Sequence, residues 1–303
     1  MLTVFGTIAL DTTRTPFKTK ERILGGAATY ASLSGSFFVP ISLIGIVGYD
    51  FPNDYEIFLE KRVNTTGLIR NNEKKTFFYD STFDYDLAHR TTNKTDLNVI
   101  ENYEPTVPKA YKSSEFIYLA NNDPEQNIKI LKKFNSPKLV VCDTIEYWIH
   151  TKKDHVISMM EKTNGVIIND QEARLLCNMS NLIKCGKEIL SWGPNFVIVK
   201  KGEHGVLFFY KDDVIPVPGF PIEDVVDPTG AGDSFAGGFI GYLISKSQKT
   251  KFDNLDLVKE SIIFGSIMGT FAIEDFGIEK LSSISIDDIM ERYKKYKSLL
   301  TLA

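Results

Sequence analysis

The sequence predicts an α/β fold with a mostly parallel sheet that is covered by helices on both sides. Short apolar runs alternate with helical patterns along the chain, which is the order that βαβ units produce. Several runs, such as Ile41–Val47 and Phe196–Lys200, are apolar at successive positions, as strands buried on both faces require. A chain of 303 residues is within the size of one such unit, so residues 1–303 are expected to form a single α/β domain.

The individual elements follow from these patterns in chain order. Strands are predicted at 2–6, 41–47, 116–119, 139–142, 166–168, 196–200 and 206–209. Helices are predicted between them, at 26–37, 52–62, 125–134, 154–162, 170–177 and 181–191. After residue 229 the pattern becomes mostly helical, at 230–245, 255–272 and 285–298.

Two stretches do not fit this alternation. Residues 74–100 are rich in Thr, Phe, Tyr and Asp and alternate roughly between Thr76 and Asp86, which is typical of antiparallel strands with one face in water. Residues 8–22 are also polar and extended in character. We expect parts of 8–22 and 74–107 to form a small, discontinuous β lid. The alternative is a surface hairpin without a role in catalysis.

Composition excludes several classes of function. A formal net charge of −4 and a pI near 5.7 argue against a nucleic-acid partner, which would call for a basic domain. Cys142, Cys177 and Cys185 form no C-x-x-C pair and no zinc pattern, which indicates reduced thiols in a cytoplasmic protein. The apolar start of the chain has no basic leader, and no apolar run approaches the roughly 18 residues of a membrane span. Neither a signal peptide nor a membrane partner is therefore expected.

The strongest chemical signal is the segment Asp227-Pro-Thr-Gly-Ala-Gly-Asp233. A helical pattern begins directly after it, so Gly230, Ala231 and Gly232 are expected at a helix N-terminus, where N–H groups and the helix dipole bind anions. Asp233 in the first turn could accept the proton of an attacking hydroxyl while the N–H groups hold a phosphoryl group. The alternative is a glycine-rich turn with an Asp cap, because a Gly-x-Gly turn before a helix is a weak signal.

Four motifs, in the expected order, resemble those of the ribokinase-like (phosphofructokinase-B type) carbohydrate kinases. Residues 227–235 are similar to the second signature of that family, Asp-Thr/Pro-x-Gly-Ala-Gly-Asp-x-Phe. Residues 24–28 look like its first signature, a di-glycine before a helix, while 169–172 and 200–205 are similar to its Asn-x-x-Glu and Lys-x-Gly-x-x-Gly motifs. The resemblance covers nearly the whole chain. It implies a ribokinase-like three-layer α/β/α sandwich and ATP-dependent phosphorylation of a hydroxyl group.

The resemblance implies roles for residues on the nucleotide side. Asp233 matches the catalytic base, and the backbone of residues 230–232 matches the anion hole. Asn169 and Glu172 match a pair that supports Mg²⁺ and the triphosphate, largely through water, which suits a metal that dehydrates reluctantly. The same two residues also fit a capping box at a helix start, and both interpretations can hold together.

Two further groups are assigned by the resemblance. Lys200, Gly202 and Gly205 are expected to flank the nucleotide, with a plain turn between strands 196–200 and 206–210 as the alternative. Asp227 and Thr229 resemble positions where many family members hold a monovalent cation. Potassium is therefore a candidate cofactor beside ATP and magnesium, although not all members need one.

On the acceptor side, Asp11 follows the first strand, where family members use an Asp to grip sugar hydroxyls. Gly25 and Gly26 would let a substrate lie close to the backbone. Many relatives carry an Asn four residues after the second glycine, whereas this chain has Tyr30. This difference removes a compact amide and indicates an aromatic wall instead.

Three more residues are acceptor candidates by position. Asn121 and Asp143 follow predicted strands, and the carboxyl ends of strands are where open α/β sheets bind ligands. Arg90, in the lid stretch, could meet a phosphate. The alternative for each of them is a loop, a cap or a solvent-facing side chain.

The sequence therefore predicts a kinase that binds ATP and magnesium, closes a lid over a hydroxylated small molecule and transfers the γ-phosphoryl group in line. A sugar or sugar acid is the first expected acceptor. A nucleoside is the alternative, favoured by Tyr30 and the aromatic lid, and a cyclic polyol such as inositol is the third. Family lids often clasp a second subunit, so a homodimer through the lid is expected.

Two unrelated classes of protein are disfavoured. A nicotinamide dehydrogenase would need a Gly-x-Gly at the first βα turn, and Gly45-Ile-Val-Gly48 lacks the third glycine of that motif. A catalytically silent binding protein on a kinase fold would not need the complete segment from Gly230 to Asp233.

Overall fold

The computed structural model describes residues 1–246 and 254–300, and its strands form two separate sheets. In chain order the strands are β1 (Leu2–Phe5), β2 (Ala9–Arg14), β3 (Thr19–Gly25), β4 (Ile41–Val47), β5 (Asn64–Arg70), β6 (Phe77–Phe83), β7 (Arg90–Asp96), β8 (Phe116–Leu119), β9 (Leu139–Cys142), β10 (Gly165–Asn169), β11 (Phe196–Lys200), β12 (Val206–Tyr210) and β13 (Asp213–Val217). The helices are α1 (Ala27–Ser36), α2 (Asn53–Glu60), α3 (Pro124–Leu131), α4 (Glu146–Met160), α5 (Asp170–Cys177), α6 (Leu182–Ser191), α7 (Ala231–Lys246), α8 (Leu255–Ala272), α9 (Glu279–Ser283) and α10 (Ile286–Leu300).

The large sheet has the strand order β13-β12-β11-β10-β9-β8-β1-β4-β5 within the described residues. Its strands pair in parallel from β5 through β11, and β12 and β13 add an antiparallel edge. The predicted mostly parallel sheet is confirmed. Because parallel strands share one direction, their carboxyl ends meet at one edge, where Asp143, Asn169 and Lys200 lie.

Two hydrophobic cores lie on opposite faces of the large sheet. Alternate residues of a strand enter different cores: Phe196 and Ile198 of β11 join the core beneath α1, α7 and α8, whereas Val197 and Val199 join the core beneath α3 to α6. This alternation explains why the strands are apolar at every position, since both of their faces are covered by helices. The result is the predicted three-layer α/β/α sandwich.

The small sheet consists of β3, β2, β6 and β7, in that order. Its strands occupy parts of the two polar stretches, and β3 continues to Gly25. In the pairing of β2 with β6, Asp11 lies opposite Tyr79 and Thr13 opposite Ser81. Cross-strand partners point to the same face of a sheet, so these four side chains share one face.

The tightest helix contact joins α1 to α7. A Cβ atom on Gly237 would lie 2.1 Å from the carbonyl oxygen of Ala31, so the two backbones touch at this point. The Ser34 hydroxyl also donates to the Ser234 carbonyl oxygen at 2.6 Å. This crossing fixes the start of α1 beside the start of α7, which are the two helices preceded by the glycine motifs.

Most predicted elements have the predicted bounds to within two residues, but the helix predicted at 125–134 ends at Leu131, and α9 was not predicted. The element α4 consists of two helical segments that meet at Lys152, where the backbone is not helical (φ −144°, ψ 42°). The helix predicted at 154–162 matches the second segment, and the first segment, which begins at Glu146, was not predicted. Strands β5 and β13 were not predicted, because they lie at the edges of the large sheet and carry polar or exposed residues. Among the described residues, no helix combines the length and the apolarity that a membrane span needs.

Replacing Gly237 by Ala should destabilise the protein. In an isolated helix, the change from Gly to Ala stabilises the helix by about 0.5–1 kcal/mol. In this protein, however, the added methyl group would meet the Ala31 backbone and force α1 and α7 apart. We expect a loss of about 1–3 kcal/mol in the free energy of unfolding, measured by urea denaturation. Gly241→Ala, one turn further along α7 with its nearest contact at 3.1 Å, is the matched control. Equal effects of the two changes would contradict the close crossing.

Candidate active site

The start of α7 has the geometry of an anion site. The Ser234 N–H donates to the Gly230 carbonyl oxygen at 2.8 Å, which is the first turn of the helix, and the Ala231 N–H lies 3.3 Å from the Pro228 carbonyl oxygen. The N–H groups of Gly232 and Asp233 therefore precede the regular helical bonds and point out of the helix end. The segment before them is held by Val226, whose N–H donates to the Ile273 carbonyl oxygen at 2.8 Å.

Asp233 lies in the first turn of α7 and carries a perturbed carboxyl group. Burial and the negative charge of Asp143 raise its pKa to about 7, against the opposing charges of Lys200 and Arg90. A carboxyl group with a pKa near neutrality exchanges a proton readily at physiological pH, which is the property that a general base needs. The predicted position of Asp233 beside the helix N-terminus is found in the structure.

Lys200, the last residue of β11, extends to the start of α7. Its Nζ lies 3.1 Å from Asp143 Oδ2, and a Cβ atom on Gly232 would lie only 2.6 Å from the same Nζ. The Tyr118 hydroxyl donates to Asp143 Oδ2 at 3.2 Å, and the Thr144 N–H donates to Asp143 Oδ1 at 2.6 Å. Asp143 is thus hydrogen-bonded at both carboxylate oxygens.

Asn169 and Glu172 form the capping box that was the alternative interpretation of this pair. The Glu172 N–H donates to Asn169 Oδ1 at 2.8 Å, and the Asn169 N–H donates to Glu172 Oε2 at 2.9 Å. Burial and the charge of Asp143 raise the pKa of the Glu172 carboxyl to about 8. In the described residues no cluster of three or more His, Cys, Asp and Glu side chains is arranged around a metal position. A Mg²⁺ ion beside Asn169 and Glu172 would keep several of its waters, because magnesium dehydrates reluctantly.

Asp227 and Thr229 lie in the turn before α7. Asp227 is completely buried, and its Oδ1 accepts from the Thr229 N–H at 2.9 Å. Asp227 Oδ2 and Thr229 Oγ1 have no hydrogen-bond partner among the described residues. Burial raises the pKa of the Asp227 carboxyl. The Thr229 and Thr13 side chains and the Gly277 N–H oppose this rise in pKa, so the carboxyl has polar neighbours on several sides.

The acceptor-side residues converge on the same place. The Asp11 carboxylate packs on Gly25, where a Cβ atom would lie 1.8 Å from Oδ2. Gly26 has φ +94° and caps α1, as the di-glycine pattern predicts. Burial and the charge of Asp227 raise the pKa of the Asp11 carboxyl to about 7. Asp11 is also within electrostatic range of Asp233, so the predicted acceptor and phosphoryl sides are adjacent.

Tyr30 is placed differently from the expected aromatic wall. Its ring packs against Gly230, where a Cβ atom would lie 2.4 Å from the ring, and the side chain is only 1% exposed. The Tyr30 hydroxyl has no hydrogen-bond partner among the described residues. Burial and the charges of Asp227, Asp11 and Asp233 raise its pKa. Tyr30 therefore supports the turn before α7 with its ring, and its hydroxyl is buried within electrostatic range of Asp227, Asp11 and Asp233.

The last two candidates are Asn121, which is buried, and Arg90, which is exposed. Asn121 Oδ1 is buried without a partner among the described residues, while its carbonyl oxygen accepts from the Thr7 N–H at 3.1 Å. Arg90 is exposed and lies over the Tyr79 ring at 5.3 Å, and its charge lowers the pKa values of Asp11, Glu172 and Asp233. Arg90 thus faces the site from the small sheet.

The turn at residues 201–205 joins β11 to β12, as the simple structural alternative predicted. The Lys201 N–H donates to the Gly205 carbonyl oxygen at 2.7 Å. A Cβ atom on Gly205 (φ +77°) would lie 2.1 Å from the Val217 carbonyl oxygen, whereas Gly202 has open space around it. Gly205 is therefore required for close packing, whereas the space around Gly202 is open.

Sequence reasoning missed Tyr118, whereas it counted Tyr79 among the lid aromatics that favour a nucleoside acceptor. Tyr118 is fully buried in β8 and contacts Asp143 across neighbouring strands, a pairing that no local pattern encodes. Tyr79 was noted only as one of many lid aromatics. Its register opposite Asp11 could have been found only from the pairing of β2 with β6.

Comparison with known proteins shows to which family the chain belongs. The model of the pfkB family carbohydrate kinases matches residues 7–283. The chain belongs to the pfkB family of carbohydrate kinases. It is a phosphotransferase with a hydroxyl group as acceptor. The family contains carbohydrate and nucleoside kinases, and kinase activity implies ATP and a divalent metal ion.

Named relatives of this pfkB family member include three kinases. The chain is 28% identical to the nucleoside kinase of Methanocaldococcus jannaschii over 91% of this chain and 87% of that protein. It is 26% identical to the cytidine kinase of Thermococcus kodakarensis over 80% and 88%, and 25% identical to the inositol 3-kinase of Arabidopsis thaliana over 90% and 74%. The crystal structure of the M. jannaschii nucleoside kinase, an archaeal member of the ribokinase family, superposes with a TM-score of 0.77, at 24% identity and over 97% of this chain and 98% of that one. The ribokinase-like fold is thereby confirmed.

Replacing Asp233 by Asn should stabilise the fold increasingly as pH rises. The Asp233 pKa is about 7 in the folded protein and about 4 in an unfolded chain. Between these values the unfolded state loses a proton that the folded state keeps, so wild-type stability from this group falls as pH rises. The Asn variant has no such loss, and its advantage over the wild type should grow as pH rises from about 4 to about 7. Urea unfolding between about pH 4 and pH 8 measures the difference, and a constant difference would contradict the raised pKa.

Proposed function

We propose that this protein is an ATP-dependent nucleoside kinase in which Asp233 is the general base. The main support for phosphotransfer is the position of the Asp233 carboxyl. This group lies in the first turn of α7, next to Gly232 and the Lys200 ammonium. The helix end would bind the transferred phosphoryl group, and Asp233 would take the proton of the acceptor. The O–P bond to the acceptor forms as the bond to the β-phosphate breaks, and ADP leaves.

Asn169, Glu172 and Gly202 fit the binding of the phosphate donor, ATP. Asn169 and Glu172 would hold magnesium through water, and the ion would neutralise charge on the phosphates. The buried Glu172 carboxylate lies in the field of Asp143, and a cation is the partner that such a pair favours. The Gly202 turn would leave room for the nucleotide. The small sheet would act as a lid that excludes water, which could otherwise accept the phosphoryl group.

Two observations support a nucleoside acceptor over the sugar or sugar acid expected first. Two of the named relatives are a nucleoside kinase and a cytidine kinase. The small sheet also places Tyr79 on the same face as Asp11, so a ring for base stacking lies beside a carboxylate for sugar hydroxyls. An inositol acceptor is the second candidate, because a relative of similar identity is an inositol 3-kinase.

A coupled ADP-release assay over nucleosides, inositols, sugars and sugar acids tests this proposal. We expect turnover with a nucleoside and a loss of about 10²-fold or more in kcat for Asp233→Asn. The matched control is Asp287→Asn, which changes an exposed carboxylate in the first turn of α10. Preferred turnover of an inositol or a sugar would overturn the acceptor class, and near-full activity of Asp233→Asn would overturn the base.

We also expect a monovalent cation beside the buried Asp227 carboxyl and the Thr229 hydroxyl, the positions that the family resemblance assigns to such an ion. A bound cation would offset the burial of the Asp227 carboxylate. Thermal unfolding and turnover should both rise when KCl replaces choline chloride at equal ionic strength, and Asp227→Asn should remove the difference. The same response in the variant would place the cation effect elsewhere.

A homodimer through the small sheet is the proposed assembly. Phe17 and Tyr85 lie at the tips of two turns of this sheet, 67% and 82% exposed, with ring centroids 6.0 Å apart. An exposed aromatic pair of this kind is suited to a protein interface. Sedimentation equilibrium should give a dimer for the wild type and a weaker dimer for Phe17→Ser with Tyr85→Ser. A monomeric wild type would contradict the proposal.

A further inference from the structure

Lys200 is a buried ammonium group positioned by two other buried side chains. Its side chain is 14% exposed and that of Asp143 is 5% exposed, with Nζ and Oδ2 separated by 3.1 Å. The Tyr118 hydroxyl donates to the same Oδ2 at 3.2 Å. The position of this ammonium therefore depends on Tyr118 in β8, on Asp143 directly after β9, and on β11, which β10 separates from β9 in the sheet.

The ammonium lies against the end of α7 rather than away from it. A Cβ atom on Gly232 would be 2.6 Å from Nζ and 3.4 Å from Cε of Lys200. The Lys200 side chain thus occupies the space beside the helix N–H groups that a side chain at position 232 would otherwise fill. An anion bound to those N–H groups would also meet the ammonium.

The surroundings of Lys200 are strongly acidic. Burial disfavours its charge, but the charges of Asp143, Glu172 and Asp233 outweigh this effect and raise its pKa, so the group stays protonated. The raised pKa values leave the Glu172 carboxyl mostly protonated and the Asp233 carboxyl partly protonated near neutral pH, while the charge of Asp143 is paired with Lys200. A phosphoryl group entering this region adds negative charge, and the Lys200 ammonium is placed to offset it.

We propose that Lys200 binds the phosphoryl group during transfer and that Asp143 and Tyr118 position its ammonium for this contact. This inference rests on the proposed ATP-dependent phosphotransfer. An ammonium has three N–H donors, so Nζ can keep its bond to Asp143 while another donor reaches an oxygen of the phosphoryl group. Asp143 and Tyr118 are positioning residues that act through Lys200.

A purely structural ion pair is the competing explanation, and it has a different consequence. Removing one partner of a buried pair destabilises a protein because the other charge is left alone, whereas removing both charges is often tolerated. If the pair served stability only, the loss of both charges would restore function together with the fold. If Lys200 contacts the phosphoryl group, stability would return without function.

The test compares wild type, Lys200→Met, Asp143→Asn and the double variant, with Lys201→Met as the matched control at the neighbouring lysine. Calorimetric titration gives the dissociation constants of Mg·ATP and Mg·ADP, and their ratio measures the preference for the γ-phosphate. Urea unfolding gives the free energy of unfolding of each variant. We expect Lys200→Met to lower the ATP-over-ADP preference by about 10-fold or more and kcat by about 10²-fold or more. Asp143→Asn should lower kcat by about 10-fold, without a change in the acceptor KM.

The double variant decides between the two explanations. We expect it to regain the stability lost in Lys200→Met and to keep the low ATP preference and the low kcat. A double variant that recovers the preference, or a Lys200→Met protein with wild-type preference, would overturn the role of Lys200 while leaving the proposed kinase function intact. A wild-type protein that binds neither nucleotide would contradict the proposed function and this role with it.

Discussion

The close crossing of α1 and α7 is the contact on which the site depends. Gly237 touches the Ala31 backbone, and the hydroxyl of Ser34 bonds to the Ser234 carbonyl oxygen. Because helices are stiff, this contact holds the di-glycine end of α1 next to the start of α7, with the Tyr30 ring against Gly230. Acceptor-side and phosphoryl-side groups are therefore aligned by packed helices rather than by loops. Alignment of this kind matters because small displacements of reacting groups greatly reduce transfer rates.

The second organising feature is an imbalance of charge at the carboxyl edge of the large sheet. Asp143, Glu172 and Asp233 come from separate elements and surround Lys200. Burial and mutual repulsion raise the pKa values of Asp233 and Glu172, which makes one of them a suitable base and the other a suitable partner for a cation. In the proposed function, the ligand of this site brings both a metal ion and phosphate groups. Nucleoside triphosphate with magnesium is such a ligand.

The sequence predicts the framework better than the pairings within the site. Strands such as β4 and β11 were predicted with the bounds that the structure shows, because burial on both faces leaves a continuous apolar run. The start of α7 was predicted within one residue from its glycines. Tyr30, in contrast, was expected to form a wall and packs under Gly230, and Asp143 was expected at the acceptor and is paired with Lys200. Such pairings join distant parts of the chain and depend on strand order, which no local pattern records.

The proposed role of Asp233 as the base depends on a carboxyl pKa close to neutrality at the start of α7. The most direct measurement is a ¹³C NMR titration of protein labelled at its aspartate side-chain carboxyl carbons, recorded for wild type and for Asp233→Asn. The resonance that is absent from the variant belongs to Asp233. Our account predicts that this resonance titrates with a midpoint near pH 7. A midpoint near pH 4, the value of an unperturbed carboxyl, would contradict it.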